Sequence, residues 1–436
     1  MASFNMTEDQ LRAYKIIKSG RNVCILGAGG VGKTYLINKV VKEFEEAGKN
    51  VICCAPTGIA ALGLGGTTIH RMLKCGIDKP IDIKPDVRQI TENHVLVSSD
   101  VLVIDEISMC RVDLFDYLFA AIHKANKYRK RLSKRPIQLI ASGDFFQIPP
   151  VVPNKDLLPL QAKYPGKEII SAFPFTSNIW EKAKFKYVIL NEVVRQKDER
   201  FAGILNAIRE GDCEAVDWVN EHCSDITKDG AINLCGKNAD ADRINNEKLA
   251  EIAGPYKKYV AQVYGQVADN EKKAPEILTL KVGARVMAVV NDENHIYKNG
   301  SLGYVTELHE KSVDVQWDNG RLSTVPFYQW DITIPEVIII KGQKRIHQEV
   351  IGSYAQIPLK LGYAVTIHKS QGQTFDSVHI FPRCFAAGQL YTALSRCKTI
   401  EGISLEYPIR HSDLICADEA VDFYRNVEEE IEDSLF

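Results

Sequence analysis

One stretch restricts the fold more than any other: RNVCILGAGGVGKTYLINKVVKEFEEAG, residues 21–48. Residues 22–26 are apolar-rich and read as a short strand, and Gly27 to Thr34 fit GxxxxGKT. From Tyr35 onward, apolar residues recur at helical spacing through Leu36, Val40 and Phe44. Strand, glycine turn and helix in that order make a phosphate loop. Gly27, Gly29, Gly30 and Gly32 let backbone N–H groups turn inward around phosphates, and the helix N-terminus adds its positive end. Lys33 would reach the outer phosphates, and the Thr34 hydroxyl would sit on Mg²⁺. The chain is therefore expected to be an α/β protein built on a parallel sheet, with its ligand at the loops that follow the strands.

A phosphate loop needs an acidic partner to complete a metal site, and VLVSSDVLVIDEISM (95–109) supplies one. Val101 to Ile104 read as a buried strand ending in Asp105 and Glu106. Asp105 would hold Mg²⁺ through its water shell, and Glu106 is the natural base for an attacking water, which implies hydrolysis rather than storage of nucleotide. A third strand in RPIQLIASGDFFQIPPV (135–151) is followed by Gln147, placed one short loop beyond the core where it can report the γ-phosphate.

At 436 residues the chain is long enough for two or three domains. The first twenty residues lack the apolar segment of a secretory signal, and no apolar run reaches membrane-spanning length. The eleven cysteines include no CxxC pair and read as free thiols of a reducing cytosol. A net charge of −2 decides nothing about nucleic acid, because a charged channel can be local. AIHKANKYRKRLSKR (121–135) is strongly basic and reads as a solvated helix end plus loop, with direct phosphate contact as the alternative.

The opening helix is expected to start at Thr7 as N-cap, with Gln10 at the capping-box position and Leu11, Tyr14 and Ile17 apolar. In APTGIAALGLGGTTIHRML (55–73), Thr57 and His70 follow core elements and are expected on the opposite rim from the phosphates. Residues 74–94 are polar and proline-punctuated and suit an excursion from the sheet. A second α/β region is expected from KYVILNEVVRQ (186–196), with helices at 198–210 and 212–220, a strand at 231–235 and a helix through 240–251. Between about 283 and 357 the period becomes two, and Asp318-Asn319-Gly320 signals a hairpin, so a small antiparallel barrel is expected there. The α/β pattern resumes with YAVTIHKS and DSVHIF.

Taken together, these motifs resemble the Pif1 family of superfamily 1 helicases. The resemblance covers nearly the whole chain through GAGGVGKT, APTGIAA with GGTTIHRML, VLVIDEISM, LIASGDFFQIPPV, LKLGYAVTIHKSQGQTFDSVHI and LYTALSRCKT. VILNEVVRQKDERFAGILNAIREG (188–211) resembles the family's own signature. The implied fold is two RecA-like P-loop NTPase domains. The first is residues 1–185 with a small insertion at about 74–94. The second is 186–295 and 358–436, interrupted by an SH3-like β-barrel at 296–357. The implied activity is ATP-dependent 5′ to 3′ translocation on single-stranded DNA with unwinding of duplex, and of G-quadruplex DNA, using Mg²⁺ with ATP. The resemblance further implies that ATP lies between the RecA-like domains, Gln10 reads adenine and Gln147 senses the nucleotide. Arg195 and Arg396 match the paired arginines of the second domain, and Gly372 would approach the phosphates.

Thr57, His70, Thr366, His368 and Lys369 would form a DNA track in two halves, with Phe146 as a stacking residue. TIHKSQGQTF (366–375) is then a coupling loop, touching DNA on one side and relaying to ATP on the other. Near-absence of extensions beyond the motifs suits a bacterial or phage form acting as a monomer, cytoplasmic and nucleoid-associated, on single strands and junctions in repair or recombination. A DNA-stimulated translocase that opens no duplex and a nucleotide-gated nucleic-acid binding module remain as alternatives.

Overall fold

The structure, a computed structural model, describes residues 6–75, 87–165, 171–192, 198–224 and 226–433. The chain divides into two compact units: Met1–Arg195 with Thr333–Glu349 and Ala417–Phe436, and Gln196–Ile332 with Val350–Cys416.

The first unit is organised by six parallel strands. Their order is Thr67–Thr68, Val51–Ala55, Val101–Ile104, Gln138–Gly143, Val23–Gly27 and Lys186–Leu190. The middle strands are near-continuous apolar runs, as a sheet covered on both faces requires. Helix Lys33–Glu46 packs Leu36, Val40 and Phe44 against Val23, Ile25, Val101, Val103 and Val188. The opening helix, Glu8–Lys18, has the expected capping box, with Gln10 N–H donating to Thr7 Oγ1 at 3.2 Å and Thr7 N–H to Gln10 Oε1 at 3.2 Å. Parallel pairing puts every strand's C-terminal end on one edge. Thr57 therefore stands on the same edge as the phosphate loop, with two strands between them, and not on the opposite rim.

Three assignments along the chain differ from the sequence expectation. Lys186–Leu190 does not open the second α/β region; it pairs in parallel with Val23–Gly27, residue for residue. Helix Asp418–Asp433 belongs to the first unit, where Phe423 stacks on Phe175 at 4.3 Å between ring centroids and abuts Phe145. Basic helix Val112–Arg131 does end in solvent, yet Arg129 is buried and donates to the carbonyls of Val97 at 3.0 Å and Arg135 at 2.7 Å. That arginine also pairs with Asp100 at 3.1 Å, so it ties the helix end to the segment before Val101–Ile104.

The second unit has a four-stranded parallel sheet, ordered Ala364–Thr366, Ile232–Cys235, Val378–Ile380 and Ile403–Leu405. Helices Glu199–Glu210, Cys213–His222 and Asn238–Glu251 fall where their periodicity predicts. The antiparallel region is a five-stranded sheet, Leu322–Pro326, Ser312–Trp317, Leu302–Leu308, Arg285–Ala288 and Leu359–Leu361. It starts before and ends after the expected limits of 296–357. Gly320, at φ +79°, turns the hairpin that Asp318-Asn319-Gly320 foretells. Trp317 is buried, stacked on Tyr297 and bonded to Ser323 Oγ at 2.8 Å, so it is a core residue.

A long ribbon, Tyr328–Ile340 and Gln343–Gln356, contributes its tip to the first unit. There the Asn50 side chain imitates a strand. Its Nδ2 donates to Lys344 O at 3.1 Å, and its Oδ1 accepts from Ile346 N–H at 3.4 Å.

All eleven cysteines are free, and burial pushes the Cys53 and Cys235 thiols up to about 12. Among the described residues, no helix is long and apolar enough to cross a membrane.

Candidate nucleotide and nucleic-acid sites

The phosphate loop of the first unit is formed by backbone that only glycine tolerates. Gly27 has φ +147°, and a Cβ there would stand 2.5 Å from the Leu190 carbonyl oxygen on the neighbouring strand. Gly32, at φ +85°, faces Gln10, whose Nε2 would lie 2.5 Å from an added Cβ. Gln10 Nε2 donates to the Val31 carbonyl at 3.2 Å while its Oε1 caps the helix, so this one side chain ties the first helix to the loop. Lys33 Nζ donates to the carbonyls of Gly27 and Ala28 at 2.8 and 3.0 Å. Its ammonium thus lies folded onto the loop it would leave to meet a phosphate. Thr34 is exposed at the start of its helix.

Asp105 follows the adjacent strand but one, 7% exposed. Its Oδ1 accepts from the Ser142 hydroxyl and from Glu106 N–H at 3.0 Å, and neither bond uses Oδ2. Burial raises the carboxyl above its usual range, while the Ser142 hydroxyl, the Glu106 N–H and the charge of Lys33 pull it back. Glu106 itself has φ +52°, a left-handed backbone that costs a non-glycine residue about 1 kcal/mol. The fold holds a carboxylate there against its conformational preference, directly after Asp105.

Gln147 is buried on the next loop, its Nε2 donating to Asp144 Oδ2 at 3.1 Å. Asp144 in turn accepts from Tyr424 OH at 3.3 Å, which links the loop carrying Gln147 to helix Asp418–Asp433. Phe146 is 7% exposed and stacked on Tyr424 at 4.5 Å. It packs the protein interior and does not offer a face to a base, contrary to the expected role.

The other residues expected on a DNA track divide between the units. Thr57 accepts weakly from Ala60 N–H at 3.4 Å at the head of its helix, and half-buried His70 lies on the short helix Ile69–Met72. In the second unit, Thr366 is buried and accepts from Lys369 N–H at 3.3 Å; Lys369 is exposed. Burial lowers the pKa of both His70 and His368, so at neutral pH they are hydrogen-bonding imidazoles and not cations. The cationic charge here comes instead from Lys369 and from Lys360, which burial and the charges of Lys369 and Lys273 push down to about 8. Gly372 is exposed at φ +78°. Arg396, 1% exposed, donates to Thr392 O at 2.8 Å, Ser370 O at 3.4 Å, Gln373 O at 3.4 Å and Ser395 Oγ at 2.8 Å. It therefore fixes the 368–373 loop within its own unit. Arg195 lies outside the described residues.

Ser142, Asp144, Tyr424 and Lys360 were not singled out in the sequence. Ser142 and Asp144 sit within the LIASGD motif and were within reach of it; Lys360 breaks an apolar alternation and was also visible. Tyr424 carries no local signal, because its partner lies 280 residues away.

Residues 5–218 match the sequence profile of the PIF1-like helicases. The Pif1 helicase of Bdellovibrio bacteriovorus is 30% identical over 420 residues, covering 92% of this chain and 87% of that protein. This chain belongs to the Pif1 family. Its structure is similar to Bacteroides sp. Pif1 in complex with ADP-AlF4, at a TM-score of 0.85 and 32% identity over 98% of both chains. Bacteroides Pif1 bound to single-stranded DNA is similar at a TM-score of 0.68 over the same share. The first unit is thus a RecA-like P-loop domain of Pif1 type. The Danio rerio ATP-dependent DNA helicase PIF1 is 33% identical, and this chain spans 60% of its length.

The buried charge at Asp105 has a measurable consequence. A carboxyl raised above its unfolded value binds its proton more tightly in the folded state, so its ionisation costs stability at all pH values above that raised pKa. Asp105→Asn is expected to raise Tm by a few degrees at pH 7.5 and to abolish ATP hydrolysis. The Tm gain shrinks as pH falls through the raised pKa towards about 4, the usual carboxylate value. Scanning calorimetry from pH 7.5 to 4.5 checks both the sign and the window.

Proposed function

We propose that this chain is an ATP-dependent DNA helicase that moves 5′ to 3′ on single-stranded DNA and separates duplex. The observation that carries this reading is the first unit's set of Lys33, Asp105, Glu106 and Gln147 on the loops of one sheet edge, in a Pif1-family chain. Lys33 and the backbone of residues 27–33 bind the phosphates, Gln10 contacts the adenine, and Glu106 takes a proton from the attacking water. The residues suit Mg²⁺: the carboxylate of Asp105 is oriented through one oxygen only, and the Thr34 hydroxyl is exposed at the helix start. Bound there, the ion would neutralise phosphate charge.

In the second unit, the loop 368–373 presents Lys369 towards solvent beside Lys360 and is held from behind by Arg396. Phosphate contacts made by such lysines have little sequence preference and strong salt dependence. The five-stranded antiparallel sheet is read as the SH3-like insertion. Single strands and single/double-strand junctions are the expected partners, with G-quadruplexes as a further target, and the chain acts as a monomer on DNA in the cytoplasm.

The test is steady-state ATP hydrolysis with and without a single-stranded oligonucleotide. Strong stimulation by DNA supports the reading; ATP bound but never turned over would leave a nucleotide-gated binding module.

A further inference from the structure

Beside the helix that carries His70, the first unit contains a cavity of about 370 Å³ that none of the motifs accounts for. Arg71 and Lys74 reach it from one wall and Lys344 from the ribbon tip, with Glu336 as the one acidic residue in its lining. The rest of the surface is largely apolar, including Pro335 and Ile339, the latter 72% exposed. Neither Lys74 nor Lys344 makes an ion pair among the described residues. Lys74 has φ +51°, so its side chain is presented from a backbone conformation that a lysine seldom adopts.

Cations at the rim and aliphatic side chains on the floor form the chemistry that a single nucleic-acid strand requires: phosphates meet the lysines, and bases lie against apolar surface. Position separates this groove from the tracked strand. His70 and Arg71 are consecutive on a helix, so they project about 100° apart, and Arg71 but not His70 lines the cavity. We propose that this groove binds the second strand at a junction, the one that is not being tracked. The inference rests on the helicase reading above and adds to it a site for the displaced single strand.

Forked DNA with two non-complementary arms is compared with a 5′-tailed duplex lacking the second arm, by fluorescence anisotropy across a salt series. The wild type should bind the fork more tightly. In the double variant Lys74→Ala/Lys344→Ala, fork affinity should fall roughly tenfold at 0.1 M salt, and its log–log salt slope by about 1.4, the value for two single-strand phosphate contacts. Single-strand affinity and single-strand-stimulated hydrolysis should stay within about twofold of wild type. Glu336→Gln, which removes the opposing charge, should move fork affinity the other way. An unchanged fork preference in the double variant overturns the proposal. So does an equal loss of single-strand affinity, which would place the groove on the tracked strand. Failure of the helicase reading is read separately, as absence of stimulated hydrolysis in the wild type, and it removes the groove's proposed ligand with it.

Discussion

Glu106→Gln should bind ATP with near wild-type affinity and hydrolyse it about 10²–10⁴ times more slowly. The amide keeps the shape and size of the side chain but cannot accept a proton from water. The backbone gives a second handle on the same residue. Glu106 is held at φ +52° at the start of the short helical turn Ile107–Met109, and its carbonyl accepts from Met109 N–H at 2.9 Å. Glycine adopts that conformation without penalty, so Glu106→Gly should be as stable as wild type or more so, yet as inactive as the glutamine variant. Stability and activity then move in opposite directions at one position. Retention of more than about a tenth of wild-type hydrolysis in either variant would mean that another group activates the water.

Arg396→Ala is the second large effect. The guanidinium is buried, and its donors are spent on three backbone carbonyls and one hydroxyl. Truncation leaves the carbonyls of Ser370 and Gln373 without that partner and opens space behind the loop that carries Lys369. The expected cost is about 3 kcal/mol, or a Tm lower by roughly 6–12 °C for a unit of this size. Measured at a temperature where the variant is fully folded, hydrolysis should no longer respond to single strands, while the first unit still binds ATP. Arg396→Lys keeps the charge but cannot form the same fork of bonds, so it should restore stability in part and the DNA response hardly at all. A folded Arg396→Ala protein with normal stimulation would show that the loop needs no anchor to respond to DNA.

What was legible in the sequence was local. The phosphate loop, the Thr7–Gln10 capping box, the strand ending in Asp105-Glu106 and the Asp318-Asn319-Gly320 hairpin each depend on residues a few positions apart, and each is present as expected. What was not legible depended on distant partners. KYVIL reads as a strand, but nothing within it says that its neighbour is Val23–Gly27 and not a strand of the second unit. The amphipathic pattern of Asp418–Asp433 calls for a covering surface without naming one, and that surface proved to be the aromatic group around Phe145 and Phe175. The same contact explains Phe146: two aromatics after a core strand suit stacking on bases or on protein, and Tyr424 decides between them. Arg396 shows the limit from the other side. Its motif marks it as functional, yet only the folded unit reveals that it acts on the 368–373 loop.

Strand separation on tailed duplexes tests the central claim most directly, that ATP turnover at Lys33, Asp105 and Glu106 drives directional movement along one strand. With ATP and Mg²⁺, a duplex bearing a 5′ single-stranded tail should be unwound and the same duplex with only a 3′ tail should not. Equal unwinding of both, or rapid DNA-stimulated hydrolysis with neither opened, would contradict it.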